Sequence, residues 1–124
     1  MRRFIEMLSK KGAVINNNEN QVAAATAVKD YWTDHNVTSH KTFLSEDESL
    51  SYFKWRNDQY FKYIDYMPVT GFDGKVVLDF GCGPGHDLVG FGVYSDPKKL
   101  IGIDVSARSL SEASDRLKIH GVTA

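Results

Sequence analysis

Two short apolar runs, each with an acidic residue at its end, predict a pair of buried parallel strands in the second half of the chain. The first occupies residues 75–80 and the second residues 99–103. Because the first run is almost continuously apolar, we expect a central strand covered on both faces. One short helix fits between the two strands. Because Gly90 and Gly92 interrupt it, residues 91–97 are expected to be irregular.

Helical spacing of apolar residues predicts three further helices. The first covers residues 20–35. The second begins at Ser45, whose hydroxyl can cap it while Glu48 completes a capping box, and it ends before Pro68. Ser106 caps the third helix. Its apolar positions, which are expected to face the sheet, are Leu110, Ala113 and Leu117.

The second of these helices is rich in aromatic residues, which form two neighbouring stripes. One stripe contains Leu50, Phe53, Tyr60, Ile64 and Met67, and the other contains Tyr52, Trp55, Tyr63 and Tyr66. The interpretation that we favour is packing against the core, the usual place of such stripes. The alternative is that the helices also roof a ligand site, with Trp32, Arg56 or Tyr60 reaching the ligand.

A glycine-rich turn follows the first strand, with the sequence Gly81-Cys82-Gly83-Pro84-Gly85. Glycine allows the positive φ values of a tight strand-to-helix turn and lets a ligand approach bare backbone. Asp104 lies 19 residues after Gly85, at the end of the second strand. In a β-α-β unit, that position allows a carboxylate to accept hydrogen bonds from a ribose. The pattern therefore predicts a nucleotide-like ligand.

The spacing G-x-G-x-G, with Asp79 before it and Asp104 after it, resembles motif I and the following acidic segment of class I S-adenosylmethionine-dependent methyltransferases. The resemblance covers roughly residues 72–121. It implies that the cofactor is S-adenosylmethionine and that the backbone of residues 81–83, namely Gly81, Cys82 and Gly83, approaches its methionine part. It also implies that Asp79 holds the ammonium group, that Asp104 holds the ribose hydroxyls and that Val105 lies against the adenine.

The same resemblance implies an α/β, Rossmann-like methyltransferase fold. That fold has a seven-stranded sheet, and only its first two parallel strands can be recognised here, after two N-terminal helices. Residues 1–70 are thus interpreted as an N-terminal helical extension, and residues 71–124 as the first half of a cofactor-binding domain. Residues 28–32 also resemble an extension found in some small-molecule methyltransferases. We expect a truncated piece of a longer protein, with little activity of its own.

Three residues in or after the turn have structural as well as functional interpretations. Asp87 lies in the first turn of a helix, where the helix dipole favours a carboxylate, and it is also a candidate cofactor-binding residue. Cys82 is expected to be a small side chain rather than a nucleophile, since no partner base is evident. His86 is expected to be an exposed residue at the helix start, with a role as general base as the alternative. The catalytic residues stay unknown.

Composition and charge bear on partners and compartment. The 124 residues carry 15 basic and 16 acidic side chains, so no overall field would attract nucleic acid, and we expect a small-molecule acceptor and no nucleic acid. One cysteine excludes an intrachain disulfide and favours the cytoplasm. No apolar run reaches membrane-spanning length, and the histidines show no metal-ligand spacing.

Two other classes of function are consistent with the same pattern. A dinucleotide-dependent oxidoreductase is disfavoured because His86 occupies the position of the third glycine in G-x-G-x-x-G. A truncated Rossmann-like module that binds a nucleoside or a partner chain without catalysis is the second. Because the far edge of the strand at 75–80 has no partner, we also expect a homodimer or larger assembly through that edge.

Overall fold

The centre of the fold is a pair of parallel strands, β1 (Val76–Phe80) and β2 (Lys99–Ile103). The structure, a computed structural model, describes residues 17–35 and 40–124. Val77 pairs with Leu100 in the sheet register, and both side chains are buried. The two strands lie where the apolar runs predicted them, to within one residue.

Four α-helices are described around the sheet: α1 (Asn17–Asp34), α2 (Glu46–Gln59), α3 (His86–Tyr94) and α4 (Ala107–Ile119). Ser45 caps α2 by accepting the Glu48 N–H at 3.2 Å, and the Glu48 carboxylate accepts the N–H of Leu44. Ser106 caps α4 by accepting the Ser109 N–H at 3.2 Å. Both capping signals in the sequence are confirmed.

Helix α3 is longer than predicted, because its glycines are sites of close packing rather than breaks. A Cβ atom on Gly90 would lie 2.7 Å from the ring of Phe53, and one on Gly92 would lie 2.4 Å from Val122. Residues 91–94, predicted to be irregular, are therefore helical. Tertiary packing outweighs the low helix propensity of glycine here.

Helix α2 is shorter than predicted, and it ends at Gln59 instead of continuing to Pro68. Phe61 and Lys62 adopt positive φ values of 58° and 54°, which turn the chain before a short 3₁₀ helix at Tyr63–Asp65. The two aromatic stripes are therefore not continuous, since their last members follow the turn. This turn brings Tyr63 back towards Arg56, as described below.

The core lies on one side of the sheet, between the strands and helices α3 and α4. It is formed by Val77, Cys82, Leu88, Val89, Leu100 and Leu117. Ala113 and Leu117 are buried as expected for α4, whereas Leu110 is 37% exposed. Phe43 before α2 and Phe53 within it are also buried, and Phe53 lies against Gly90 of α3. Leu50 of α2 packs against the core itself.

The other face of β1 is bare within the described residues. Val76, Leu78 and Phe80 are 62%, 56% and 85% exposed. Because side chains alternate across a strand, these three point away from the buried Val77. The expectation of a strand covered on both faces is thus wrong for the described part of the chain. Association of copies through the free edge of β1 stays a prediction.

The topology is compatible with part of a Rossmann-like fold, since β1, α3 and β2 form a parallel β-α-β unit. The division at residue 70 stays a prediction. Residues 1–16 of the predicted extension and 36–39 of the segment after α1 lie outside the described residues. Within residues 17–35 and 40–124, no helix combines the length and hydropathy needed to cross a bilayer.

Gly85, at the start of α3, provides a test of this packing. Its φ is +78°, and an added Cβ would lie 2.9 Å from the Cβ of Ala113 in α4. Gly81 has a similar φ of +83°, but an added Cβ there meets open space. We expect Gly81→Ala to cost about 1–2 kcal/mol for the left-handed backbone alone, and Gly85→Ala to cost about 1–3 kcal/mol more for the overlap. Urea unfolding of the two variants measures the difference, and equal losses would contradict the close helix contact.

Candidate functional site

A cavity of about 340 Å³ lies at the carboxyl ends of β1 and β2, where ligands bind in open α/β sheets. Of the candidate residues from the sequence, its wall includes Gly81, Cys82, Gly83, Asp87, Asp104 and Val105. Asp79, the remaining candidate, lies one residue before the end of β1. The fold thus brings the candidate residues together, and their role in binding a cofactor stays a prediction.

The glycine turn is held to the end of β2 by backbone and carboxylate hydrogen bonds. The N–H groups of Gly81 and Cys82 donate to the carbonyl of Ile103 at 2.7 and 3.0 Å. Asp104 accepts the N–H of Gly83 at 2.9 Å with one oxygen and the N–H of Ser106 at 2.8 Å with the other. Asp104 therefore fixes the shape of the turn as well as lining the cavity.

Asp79 has a buried carboxylate oxygen, Oδ2, that makes no hydrogen bond to any described residue. Burial above all, together with the nearby Asp87 and Asp104 and against the opposing effect of Arg56, raises the pKa of its carboxyl from 3.8 to about 6. A strand-end aspartate could instead cap the turn that follows it, but here the N–H of Gly83 donates to Asp104. Asp79 is not part of the cavity wall, but it directly precedes Phe80 and Gly81, which are. A buried carboxylate oxygen without a partner at such a place is typical of a ligand contact.

Arg56, Tyr63 and Asp87 form a polar group on one wall. Arg56 donates from Nη1 to the hydroxyl of Tyr63 at 2.7 Å and lies 3.4 Å from Asp87 Oδ1, while the Tyr63 hydroxyl donates to that same oxygen. The buried Nε of Arg56 has no partner among the described residues. Desolvation, together with the hydrogen bond to Asp87, raises the pKa of Tyr63 above its ordinary value, so the phenol stays protonated.

The sequence indicated only part of this group. Asp87 and Arg56 were candidates, and both line the cavity. Tyr63 was missed, because a continuous helix was expected to carry it elsewhere. Tyr60, the third candidate for reaching a ligand, stacks on Arg56 at 5.3 Å but does not line the cavity. The turn at Phe61 and Lys62 explains why Tyr63 contacts Arg56 and why Tyr60 is outside the cavity wall. No sequence motif predicts this turn.

Cys82 and His86 are placed for structure rather than for covalent or acid–base chemistry. Burial raises the pKa of the Cys82 thiol to about 11, so it is protonated at neutral pH and is a poor nucleophile. His86 is 5% exposed, so the expectation of an exposed residue is wrong. Its burial, with Arg116 nearby, lowers its pKa to about 3. The neutral ring accepts a hydrogen bond at Nδ1 from Arg116 and is in ring contact with Tyr52 at 5.3 Å.

The opposite wall of the cavity is apolar. It includes Phe80 and Ile103 at the strand ends, Val105 after β2, and Trp32 from the last turn of α1. Such a surface suits a flat, weakly polar ring. Trp32 thus lies in the cavity wall, although the helix that carries it is distant in sequence, and its contact with a ligand stays a prediction.

No cluster of three or more potential metal ligands occurs within residues 17–35 and 40–124. The histidines have other contacts instead. His35 Nδ1 lies 3.0 Å from the carbonyl of Tyr31, His40 contacts Glu112, and His120 lies 2.9 Å from the hydroxyl of Ser49. The described site therefore consists of carboxylates, one guanidinium, bare backbone and an apolar wall.

Comparison with known proteins finds similarity to two methyltransferases. The chain is 30% identical over 89 residues to the mRNA cap guanine-N(7) methyltransferase of Candida glabrata, which is 72% of this chain and 20% of that protein. It is 51% identical over 37 residues to the probable methyltransferase ltbC of Aspergillus luteorubrus, which is 30% of this chain and 13% of that protein. No family model and no solved structure matches the chain.

These similarities support methyl transfer in general, and they correct one expectation. The chain spans about a fifth or less of the length of these two relatives. The relative from Candida glabrata is named for a nucleic-acid substrate, so the expectation of a small-molecule acceptor and no nucleic acid is wrong. A near-zero net charge excludes an overall attractive field but not local recognition of a nucleotide, which is why composition misled.

The raised pKa of Asp79 gives a prediction for stability. The unfolded chain releases this proton near pH 4 and the folded chain only near pH 6. The folded state therefore holds more protons in this window, and stability falls as the pH rises through it. Asp79→Asn removes this effect, so we expect it to stabilise the fold above pH 6 by about 1 kcal/mol, less than the full shift implies because the carboxyl is partly solvated.

The measurement is urea unfolding from pH 3.5 to 8, with Asp58→Asn, an exposed carboxylate in α2, as the matched control. The gain from Asp79→Asn should vanish below about pH 4, where both states of the wild type are protonated. A loss of stability at pH 8, or a gain that does not depend on pH, would contradict the unpaired state of this carboxyl.

Proposed function

We propose that the chain binds S-adenosylmethionine in the cavity at the ends of β1 and β2, as the cofactor-binding part of a methyltransferase. The observation that carries the proposal is the buried, unpartnered Oδ2 of Asp79. Asp79 directly precedes Phe80 and Gly81, which line the cavity together with Asp104. The methyltransferase names of the two relatives support the same reaction class.

The charges around the cavity suit the methionine part of this cofactor. Asp87 and Asp104 both act electrostatically on Asp79, and this concentration of carboxylates favours a cationic ligand. S-adenosylmethionine carries two positive groups, an ammonium and a sulfonium. The ammonium would satisfy Asp79, and the bare backbone of Gly81 and Gly83 would allow the chain of the cofactor to approach.

The nucleoside part fits the other half of the cavity. Both oxygens of Asp104 already accept backbone N–H groups, and each keeps further acceptor capacity for a ribose hydroxyl. The adenine would lie against Val105 and Ile103 on the apolar wall. When bound, the cofactor supplies an electrophilic methyl group. The residues of the chain bind and orient it, and such positioning accounts for much of the barrier lowering in transfer reactions.

The acceptor is a separate proposal, which rests on similarity alone. The relative from Candida glabrata is named for guanine N7 of the mRNA cap, and its similarity extends over 72% of this chain. We propose a cap-like guanine nucleotide as the acceptor of the whole protein. Transfer of labelled methyl from S-adenosylmethionine to capped RNA, but not to uncapped RNA of the same sequence, is the test.

A nicotinamide dinucleotide is the alternative ligand to exclude. The turn has His86 where a dinucleotide motif has its third glycine, and that side chain is buried against Arg116 and Tyr52. Calorimetry with S-adenosylhomocysteine and with NAD distinguishes the two. Binding of NAD with no binding of S-adenosylhomocysteine would overturn the proposal.

Asp104→Ala is expected to weaken binding of S-adenosylhomocysteine by about 1–3 kcal/mol, because it removes a charged hydrogen bond to the ribose and a support of the turn. Asp115→Ala is the matched control, since that exposed carboxylate in α4 pairs only with Lys118 among the described residues. Unchanged affinity of the Asp104 variant in calorimetry, with measurable binding by the wild type, would remove Asp104 from the site.

A further inference from the structure

Helix α1 touches the rest of the described chain at very few points. From residue 21 to residue 35, every side chain is exposed except that of Thr33, which is half-buried. A polar contact at its end is made through His40, whose Nε2 lies 3.2 Å from the carbonyl of Thr33. The last turn of α1 is therefore the part of the helix that is attached.

His40 connects that turn to α4. Its other ring nitrogen, Nδ1, lies 2.7 Å from a carboxylate oxygen of Glu112. A carbonyl and a carboxylate are both acceptors, and a neutral imidazole has only one N–H to donate. Both contacts can be hydrogen bonds at the same time only when the ring is protonated. The geometry of the bridge is thus that of an imidazolium.

The charges around His40 favour this form. Glu112 is largely buried, and its second oxygen, Oε2, is buried without a partner among the described residues. Arg108, on the same helix, lies 3.2 Å from the oxygen that His40 contacts and shares it. Lys41, the next residue after His40, is directed towards Glu48 of α2 at 3.5 Å. If His40 were neutral, the exposed Arg108 would be the only positively charged partner of Glu112 among the described contacts.

The attached turn carries Trp32, which lines the cavity together with Val105 and Ile103. Trp32 directly precedes Thr33, so the position of the indole depends on the bridge. We propose that Trp32 stacks on the nucleobase of the bound ligand, and that His40 and Glu112 are positioning residues that hold Trp32 over the cavity while His40 is protonated. The stacking role rests on the proposed function. The positioning role rests on the geometry of the bridge alone.

The sign of the pH effect follows from the bridge. Histidine is the side chain whose charge most readily changes within the physiological pH range. When the ring loses a proton, the nitrogen that lost it carries a lone pair, which faces either the carbonyl oxygen of Thr33 or the carboxylate oxygen of Glu112. That hydrogen bond is lost, so the last turn of α1 is released as the pH rises. Asp79 gains a proton near pH 6 and acts in the opposite direction on a cationic ligand. The effect of His40 on binding is therefore measured as the ratio of the dissociation constants of the variant and the wild type at the same pH.

The positioning role is tested without a ligand by acrylamide quenching of Trp32 fluorescence. The chain has two tryptophans, so Trp55→Phe leaves Trp32 as the only one. In that background, we expect quenching to increase by about twofold from pH 6 to pH 8.5 as the bridge opens. His40→Gln should quench equally at both pH values. His35→Gln tests the other histidine of this segment, because His35 stacks on Tyr31 and Tyr31 is in ring contact with Trp32. The dependence of quenching on pH should persist in that variant. Quenching that does not change with pH in the parent would overturn the bridge.

The stacking role is tested by calorimetry with S-adenosylhomocysteine. Trp32→Ala should weaken binding roughly tenfold at pH 6, as expected for loss of a base–aromatic stack. His40→Gln and Glu112→Gln should each weaken it several-fold at pH 6 and have no effect relative to wild type at pH 8.5. In the Trp32→Ala background, neither substitution should weaken binding further.

The outcomes separate the two proposals. His40→Gln could weaken binding equally at both pH values, or weaken it just as much in the Trp32→Ala background. Either result would mean that His40 has a structural role only and would overturn the positioning role. Undiminished binding by Trp32→Ala would overturn the stacking role. No binding of S-adenosylhomocysteine by the wild type would overturn the proposed function and the stacking role with it. The positioning role of His40 and Glu112 would still be tested by the quenching experiment, which needs no ligand.

Discussion

The bridge from Asp104 to the backbone of the glycine turn is the constraint on which the site depends. One carboxylate at the end of β2 accepts the N–H of Gly83 in the turn and the N–H of Ser106 at the start of α4. It therefore fixes three elements relative to one another: the end of β1, the end of β2 and helix α4. The cavity is the space that remains between them. Loss of this carboxylate would change the shape of the cavity as well as its charge.

The second feature is the uneven distribution of charge around that space. Asp87 and Asp104, which line the cavity, both act on the nearby carboxyl of Asp79, and the guanidinium of Arg56 is the one that opposes them among the described wall residues. Arg56 is held by Tyr63 and Asp87, which leaves Asp79 without a counter-charge in direct contact. The raised pKa of Asp79 reflects the free-energy cost of placing its charge in this arrangement. A cationic ligand would remove that cost, which is the physical reason for proposing one.

The sequence predicted those features that depend on local patterns. The strands, the caps at Ser45 and Ser106, and the convergence of the glycine turn with Asp104 follow from apolar runs, hydrogen-bonding side chains and the geometry of a β-α-β unit. The course of α3 was wrong because Gly90 and Gly92 are required by Phe53 and Val122, which are far away in sequence. His86 was wrong for a similar reason, since its burial depends on Arg116 and Tyr52. The Tyr63 contact depends on left-handed turn residues that carry no sequence signal.

The most direct test of the central claim is a two-dimensional ¹H–¹⁵N NMR titration of the chain with S-adenosylhomocysteine. The account predicts that the largest shift changes occur at the amides of residues 81–87 and 104–106, which surround the cavity. Amides of the bare face of β1 around Val76 and Leu78 should change less. An absence of shifts at saturating ligand, or shifts confined to residues away from the glycine turn and Asp104, would contradict the account.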